Sequence, residues 1–363
     1  MKARSNKIVF IVMSLSQPRC IKRVSSLAES GFNCVVYGYN RGLYDVNTYP
    51  ESIECHVLGR MNNGELYANL KKIRTDIKQI LKVNGTECLF YCFGILSPIF
   101  LFTKRGVNYV YEISDIPYAY PKYDKVRFLC KAFDRILIRK SFLTVMTSGG
   151  FYDFLGVKSR QIIIQPNKVS PILKATERKS REISSNFRFA FIGAIRYNTV
   201  LNFAQVIGEE FPQYEFHFYG GASKKRIDQV SALVKRYDNI KYHGVFKSPE
   251  DLSEIYNEVD IVVACYDINS QNERIAEPNK LYESLFFCKP IIVSGGTYLA
   301  ERVKELNCGF VLENQSYESL SLFIKQIKYS TVKDITAKEA QLDETEFIDD
   351  ALVLSDRISK FFK

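Results

Sequence analysis

The feature that most restricts the fold of this sequence is an alternation, met twice, of short apolar runs with stretches of helical periodicity. The first series places strands at residues 7–13, 33–37, 88–93, 109–113, 144–147 and 161–164, with helices at 21–30 and 66–81. The second series begins at strand 187–192 and continues through helix 200–210, strand 215–219, helix 224–236 and strand 240–242. It closes with helix 248–257, strand 261–264, helix 279–287, strand 290–294 and helix 298–306. Strands separated by helices predict βαβ units and parallel sheets. The expected fold class is therefore α/β, with two doubly wound, Rossmann-like domains facing each other across a cleft that lies outside the carboxyl ends of their strands.

Length agrees, because 363 residues that are 46% apolar exceed what a single core organises. The expected boundaries are 1–167 and 168–345, joined through a polar connection at 168–186. A helix at 346–363 is expected to pack across the junction. Nine cysteines without a single CxxC pair argue against a disulfide framework or a zinc ribbon and predict a reducing compartment. Three dispersed histidines make a His-based metal site improbable. The longest apolar passage, 88–102, is interrupted by Gly94, Ser97 and Pro98 and falls short of the roughly 18–20 residues that span a bilayer. The stretch 8–13 is shorter than a signal-peptide core and reads as a first buried strand.

Charge is unevenly shared. Residues 1–165 hold 24 Lys and Arg against 12 Asp and Glu, whereas residues 166–363 hold 26 against 28. The first half is thus expected to face something anionic. Residues 125–142 put Leu129, Ala132, Phe133, Ile136 and Leu137 at helical spacing among Lys125, Arg127, Lys131, Arg135, Arg139 and Lys140. This basic amphipathic helix is read with its apolar stripe on a sheet and with Lys131, Arg135 and Arg139 facing anionic lipid, each basic residue adding about 1 kcal/mol. Nucleic acid is not an expected partner, because zinc-finger spacing, RNP-like strands and a basic tail are all missing.

The stretch of the sequence that carries chemistry is EPNKLYESLFFCKPIIVS, residues 277–294. Pro278 before a helix start leaves the amides of Asn279, Lys280 and Leu281 pointing outward, an anion site suited to a diphosphate. Lys280 adds a formal charge there, and Glu283, one turn on, is an acceptor for a pair of ribose hydroxyls. No D-x-D triplet occurs, so no carboxylate-held divalent metal is expected; the cofactor expectation is none.

With these motifs in view, the chain resembles the GT-B glycosyltransferases of the family 4 type, found in bacterial capsule, exopolysaccharide and O-antigen assembly. The resemblance runs through KIVFIVMSLSQPRCIKRVSSLAESGFNCVVYG, YVYEISD, MTSGGFYDFL and IIIQPNKV in the first half. In the second half it runs through FAFIGAIRYN, KYHGVFKSPEDLSEIYNEVDIVV, EPNKLYESLFFCKPIIVS and NCGFVL. It implies that Glu283 binds the nucleotide ribose and that Gly193 lets backbone approach the diphosphate. Arg196 and Lys280 would stabilise the leaving phosphate beside the Asn279 and Leu281 amides. Arg19 and Asp115 would face the transferred sugar or the acceptor.

The family pattern pairs two glutamates eight positions apart, and here the first is replaced by Ile275, so the expectation is that Glu277 or Glu273 substitutes or that the donor sugar is held differently. A lysine expected after the glycine loop is replaced by Asn198 and Thr199. The resemblance implies a retaining, metal-independent transfer from a nucleotide-sugar to a glycan, expected to be lipid-diphosphate-linked, on the cytoplasmic face of the membrane. Alternatives are a GT-B nucleotide-sugar epimerase and a non-catalytic GT-B scaffold subunit.

Overall fold

The structure, a computed structural model, describes residues 6–41, 48–61, 65–175 and 183–363. The chain forms two compact units, one of residues 1–166 with 350–363 and the other of residues 167–349.

In the first unit, among the described residues, seven parallel strands are ordered β3-β2-β1-β4-β5-β6-β7. They are β1 (Lys7–Val12), β2 (Asn33–Asn40), β3 (Glu54–Arg60), β4 (Leu89–Phe93), β5 (Asn108–Ile113), β6 (Leu143–Met146) and β7 (Ile162–Ile164). β1 and β4 read as unbroken apolar runs, KIVFIV and LFYCF, because a parallel strand with helices on both faces has no wet side. The helix Pro18–Glu29 starts with proline at its first position and buries Cys20, Val24 and Leu27 at helical spacing against β1 and β2. The turn after β1 folds onto β2, Leu15 N–H donating to the Tyr39 carbonyl at 3.0 Å. Gly38 makes this possible, since a Cβ there would lie 2.3 Å from Val12 Cγ2 and 2.6 Å from Leu15 Cδ2.

The second unit repeats the plan with six parallel strands among its described residues, ordered β10-β9-β8-β11-β12-β13. These are β8 (Arg188–Ile192), β9 (Glu215–Tyr219), β10 (Ile240–Tyr242), β11 (Ile261–Ala264), β12 (Ile291–Ser294) and β13 (Gly309–Leu312). Each sheet thus reverses its winding between two central strands, β1 and β4 in one and β8 and β11 in the other. In open α/β sheets, ligands bind beside the carboxyl ends of such strands.

Several elements depart from the sequence expectation. β3, β13 and the helices Tyr317–Gln326 and Tyr329–Glu339 were not foreseen. The connection, of which 176–182 lies outside the described residues, is in its described part a structured piece: Val169 pairs with Ile348, and Leu173 is buried. The chain passes between units at 166/167 and again at 349/350. The closing helix Leu352–Phe362 places Leu354, Ile358 and Phe361 in the core of the first unit.

The basic helix spans Arg127–Lys140 and is turned from the orientation its pattern implied. It buries Asp134, Leu137 and Ile138, while Phe128, Leu129 and Ile136 are exposed. Asp134 accepts hydrogen bonds from Tyr111 OH at 2.8 Å and Tyr118 OH at 2.5 Å, and these two phenols draw the helix round. No helix among the described residues is long and apolar enough to cross a membrane.

Candidate active site

The site is built from glycine turns at the ends of β8, β9 and β10 and from the helix Asn279–Phe286. Gly193 follows β8 with φ +134°, and Gly220 follows β9 with the same φ, a conformation other residues rarely adopt. The turns are stitched together: Gly193 N–H donates to the Tyr219 carbonyl at 2.8 Å, Gly220 N–H to Gly244 at 2.6 Å, and Ile195 N–H to Gly221 at 3.0 Å. A Cβ on Gly220 would sit 2.0 Å from the Gly193 carbonyl oxygen, so the turns stack only because both are glycines.

Lys280 lies in the first turn of the helix Asn279–Phe286 and is 9% exposed. Its ammonium rests over the rings of Phe191 and Tyr266, 4.9 and 5.7 Å from their centroids. A Cβ on Gly193 would come within 2.7 Å of Lys280 Nζ, so the glycine turn and the lysine are in direct apposition. The helix has Pro278 as its cap and no side-chain cap hydrogen bond. Its N-terminus therefore keeps the partial positive charge of its first amides. Leu281 is the exception among the three expected donors, because its N–H is turned back to the Pro278 carbonyl at 3.2 Å.

Glu283 is one turn further in, buried, with both oxygens placed. Asn279 Nδ2 donates to Oε1 at 2.5 Å, and Tyr256 OH donates to Oε2 at 2.9 Å. Burial, then the neighbouring Glu283 charge, raises the Tyr256 phenol well above its ordinary pKa and keeps it a donor.

On the β8 side, Tyr197 and Tyr266 stack with centroids 4.4 Å apart. Arg196 is exposed, its guanidinium 5.5 Å from the Tyr197 centroid, and its carbonyl accepts from Arg226 Nη2 at 2.9 Å. Burial raises the Tyr266 phenol, and the Arg196 charge opposes that rise.

Asp267, which the sequence reading missed, fixes the start of the next helix, Asn198–Glu210. It accepts from Asn198 N–H at 2.9 Å and from Thr199 N–H and Oγ1, both at 2.8 Å. This is a helix cap supplied from 68 residues away, at the positions where a lysine was expected. The two helix starts thus differ: one is neutralised by a carboxylate, and the other is uncapped beside a lysine.

The two substitute acids separate. Glu277 is buried against Tyr282 OH, with Arg302 Nε 3.3 Å from its carboxylate. Burial raises its pKa, and Tyr282 and Arg302 hold it down. Glu273, in the short helix Gln271–Ile275, lies instead toward Tyr197, whose phenol is raised chiefly by burial, with a smaller push from the Glu273 charge. Ile275 itself is buried and apolar.

In the first unit, Asp115 is exposed just beyond β5. Arg19 Nε lies 3.7 Å from Glu112 Oε1 and the side chain is 20% exposed. On the basic helix, Lys131 leans onto Phe154, with Nζ 4.5 Å from the ring centroid, and Arg135 Nε donates to the Leu155 carbonyl at 2.6 Å. Of the three basic residues expected to face lipid, only Arg139 is exposed, together with Lys140.

Three comparisons agree with this geometry. Residues 186–327 match the family of group 1 glycosyl transferases. The chain is similar to the succinoglycan biosynthesis protein ExoL of Rhizobium meliloti (strain 1021), 22% identical over 336 residues that cover 87% of this chain and 83% of that one. Its fold is shared with Anabaena HepE solved with UDP and glucose, at 15% identity and a TM-score of 0.71. It is shared too with a sucrose-phosphate synthase from Thermosynechococcus elongatus, at 12% identity and a TM-score of 0.74; each of these alignments covers 98% of both chains. The chain is a glycosyltransferase of GT-B fold, with the group 1 signature carried by its second unit.

Proposed function

We propose that the protein transfers a sugar from a nucleoside-diphosphate donor to a glycan acceptor carried on a lipid diphosphate, in surface-polysaccharide synthesis, with retention and without a metal ion. The observation that carries the donor half is the uncapped helix start at Asn279, with Lys280 against Gly193 and Glu283 one turn on. Breaking the sugar C1–oxygen bond develops negative charge on the departing diphosphate. Lys280, Arg196 and the first helix amides supply the compensating positive field, and the burial of Lys280 strengthens its part. Glu283 orients the ribose, and Glu273, on the Tyr197 side, takes the part of the missing sugar-side acid. Retention follows if the leaving phosphate itself accepts the acceptor hydroxyl's proton, which dispenses with a protein nucleophile. Asp115 and Arg19 serve the acceptor from the first unit. HepE was solved with UDP and glucose, which makes UDP the first nucleotide to test.

For the membrane half, the support is the outward face of the helix Arg127–Lys140. Phe128, Leu129 and Ile136 lie exposed between Lys125, Arg139 and Lys140, apolar in the middle and basic at the rim. Such a face suits peripheral attachment to the anionic cytoplasmic leaflet, where a lipid-linked acceptor is presented.

The test is a thermal-shift panel of UDP, GDP, ADP, CMP and dTDP, each with and without EDTA, on wild type, Glu283→Ala and Glu283→Gln. One nucleoside diphosphate is expected to stabilise the wild type, by about 2.7 kcal/mol at 100 times its Kd, with no effect of EDTA and a reduced effect in both variants. Stabilisation that disappears with EDTA would overturn metal independence. No stabilisation by any diphosphate would overturn the donor site.

A further inference from the structure

We propose that the stacked pair Tyr197 and Tyr266 is a positioning element, whose rings set Arg196 and Lys280 as the two cations that meet the donor's diphosphate. This rests on the reading above, in which those cations face the departing phosphate, and says what holds them there.

The four side chains are linked in sequence. The Arg196 guanidinium lies 5.5 Å from the Tyr197 centroid, the rings of Tyr197 and Tyr266 stack at 4.4 Å with planes 25° apart, and the Lys280 ammonium lies 5.7 Å from the Tyr266 centroid. Phe191 faces the same ammonium at 4.9 Å, so that two rings attract Lys280 in a place where it is 9% exposed. An aromatic face attracts a cation without adding a formal charge of its own, so such a contact orients the cation and leaves its charge in place. Burial raises both phenols, which keeps the two stacked rings neutral.

The stack is fixed from the backbone beside it. Asp267 follows Tyr266 and accepts from the N–H groups of Asn198 and Thr199, which follow Tyr197, so the two chain segments are bonded together next to the rings. The Tyr266 carbonyl accepts from Gln315 Nε2 at 2.9 Å and from Ser294 Oγ at 2.8 Å. Gln315 Nε2 also donates to Ser294 Oγ at 2.7 Å, and Gln315 Oε1 accepts from the Thr199 hydroxyl at 2.9 Å. One amide side chain thus ties together the segment after β11, the end of β12 and the start of the helix Asn198–Glu210. Rings held in this way lose their rotamer freedom before a ligand arrives, and preorganised cations meet the developing phosphate charge without rearrangement. Arg196 is exposed, and the Tyr197 face narrows the directions open to its long side chain. Tyr197 and Tyr266 are positioning residues that act through Arg196 and Lys280.

The probe is UDP, or whichever of GDP, ADP and dTDP stabilises the full chain more, titrated by calorimetry. Its nucleoside, which carries no phosphate, is titrated beside it by ligand-observed NMR. Tyr266 is replaced by phenylalanine and by its 4-fluoro, 3,5-difluoro and 3,4,5-trifluoro derivatives, because each fluorine weakens a ring's hold on a cation while nearly keeping its shape. Tyr266→Phe is expected to bind the diphosphate within about twofold of wild type, and affinity to fall stepwise with fluorine by about 3- to 30-fold across the series. Nucleoside affinity is expected to stay constant throughout. Tyr197→Leu is expected to weaken diphosphate binding about 3- to 10-fold in the wild type and by less than about twofold in Arg196→Ala, since a ring that acts through a cation has nothing to act on once the cation is gone. Diphosphate affinity that ignores fluorine overturns the proposal, as does a loss shared equally by nucleoside and diphosphate, the mark of a ring that only packs. An equal cost of Tyr197→Leu in both backgrounds overturns it for Arg196. Either result, with the diphosphate still bound by the wild type, leaves the donor reading standing; a wild type that binds no nucleoside diphosphate brings down both.

Discussion

Gly193 shows how much of this site rests on a single missing methyl group. Its φ of +134° and its closeness to Lys280 mean that Gly193→Ala strains the backbone and pushes the ammonium off its two rings. The expected result is a folded protein whose nucleotide affinity falls tenfold or more, read by titration calorimetry. Asp134 makes a prediction of another kind. Burial lifts its pKa from 3.8 to about 6, against the opposing hydrogen bonds of Tyr118 and Tyr111. A carboxyl whose folded pKa lies above its unfolded value binds its proton more tightly in the folded chain. It therefore favours folding at low pH, and that contribution is lost as pH rises from about 4 to about 6. Asp134→Asn has no such proton to lose. Its Tm relative to wild type is expected to climb across that window and level off above it, by an amount worth about 3 kcal/mol; a difference independent of pH would contradict the assignment.

Among elements, the helix Arg127–Lys140 illustrates what periodicity can and cannot reveal. Its amphipathic character was plain from sequence, but its orientation was not. Leu129 and Ile136 matched a buried stripe as well as Leu137 does, and the deciding contacts come from Tyr111 and Tyr118 on other elements. β3 escaped notice because it is an edge strand with mostly exposed residues, so its apolar pattern is faint. By contrast, Lys280 and Glu283 sit two and five positions from Pro278, the proline that sets their helix, and local sequence suffices to find them. Asp267 caps a helix 68 residues away and Glu112 pairs with Arg23 across 89, and no local pattern announces either. The exposed face of the helix carries its own test. Replacing Phe128 and Leu129 together by serine is expected to weaken binding to anionic vesicles at least tenfold, since each apolar side chain moved out of water is worth about 1.5–3 kcal/mol. Nucleotide affinity is expected to be unaffected. Sedimentation with phosphatidylglycerol vesicles reads the first quantity and calorimetry the second.

At the scale of the whole molecule, the two units have separate cores and similar strand orders, and the sequence displayed this twofold plan through its repeated alternation. Separate cores predict separate melting. Scanning calorimetry is expected to resolve two transitions, of which a bound nucleoside diphosphate raises the one belonging to residues 167–349. A single transition that shifts as a whole would show that the units melt together. The return of residues 350–363 to the first unit has a further consequence during synthesis. Domains emerging from a ribosome usually complete themselves in chain order. Here the middle of the chain can finish folding while the earlier part still waits, with the pocket for Leu354, Ile358 and Phe361 unfilled, until residues 350–363 have been made. A ribosome that stalls past residue 349 would release a protein able to hold its nucleotide yet lacking a finished first half, and that exposed core marks the product for quality control.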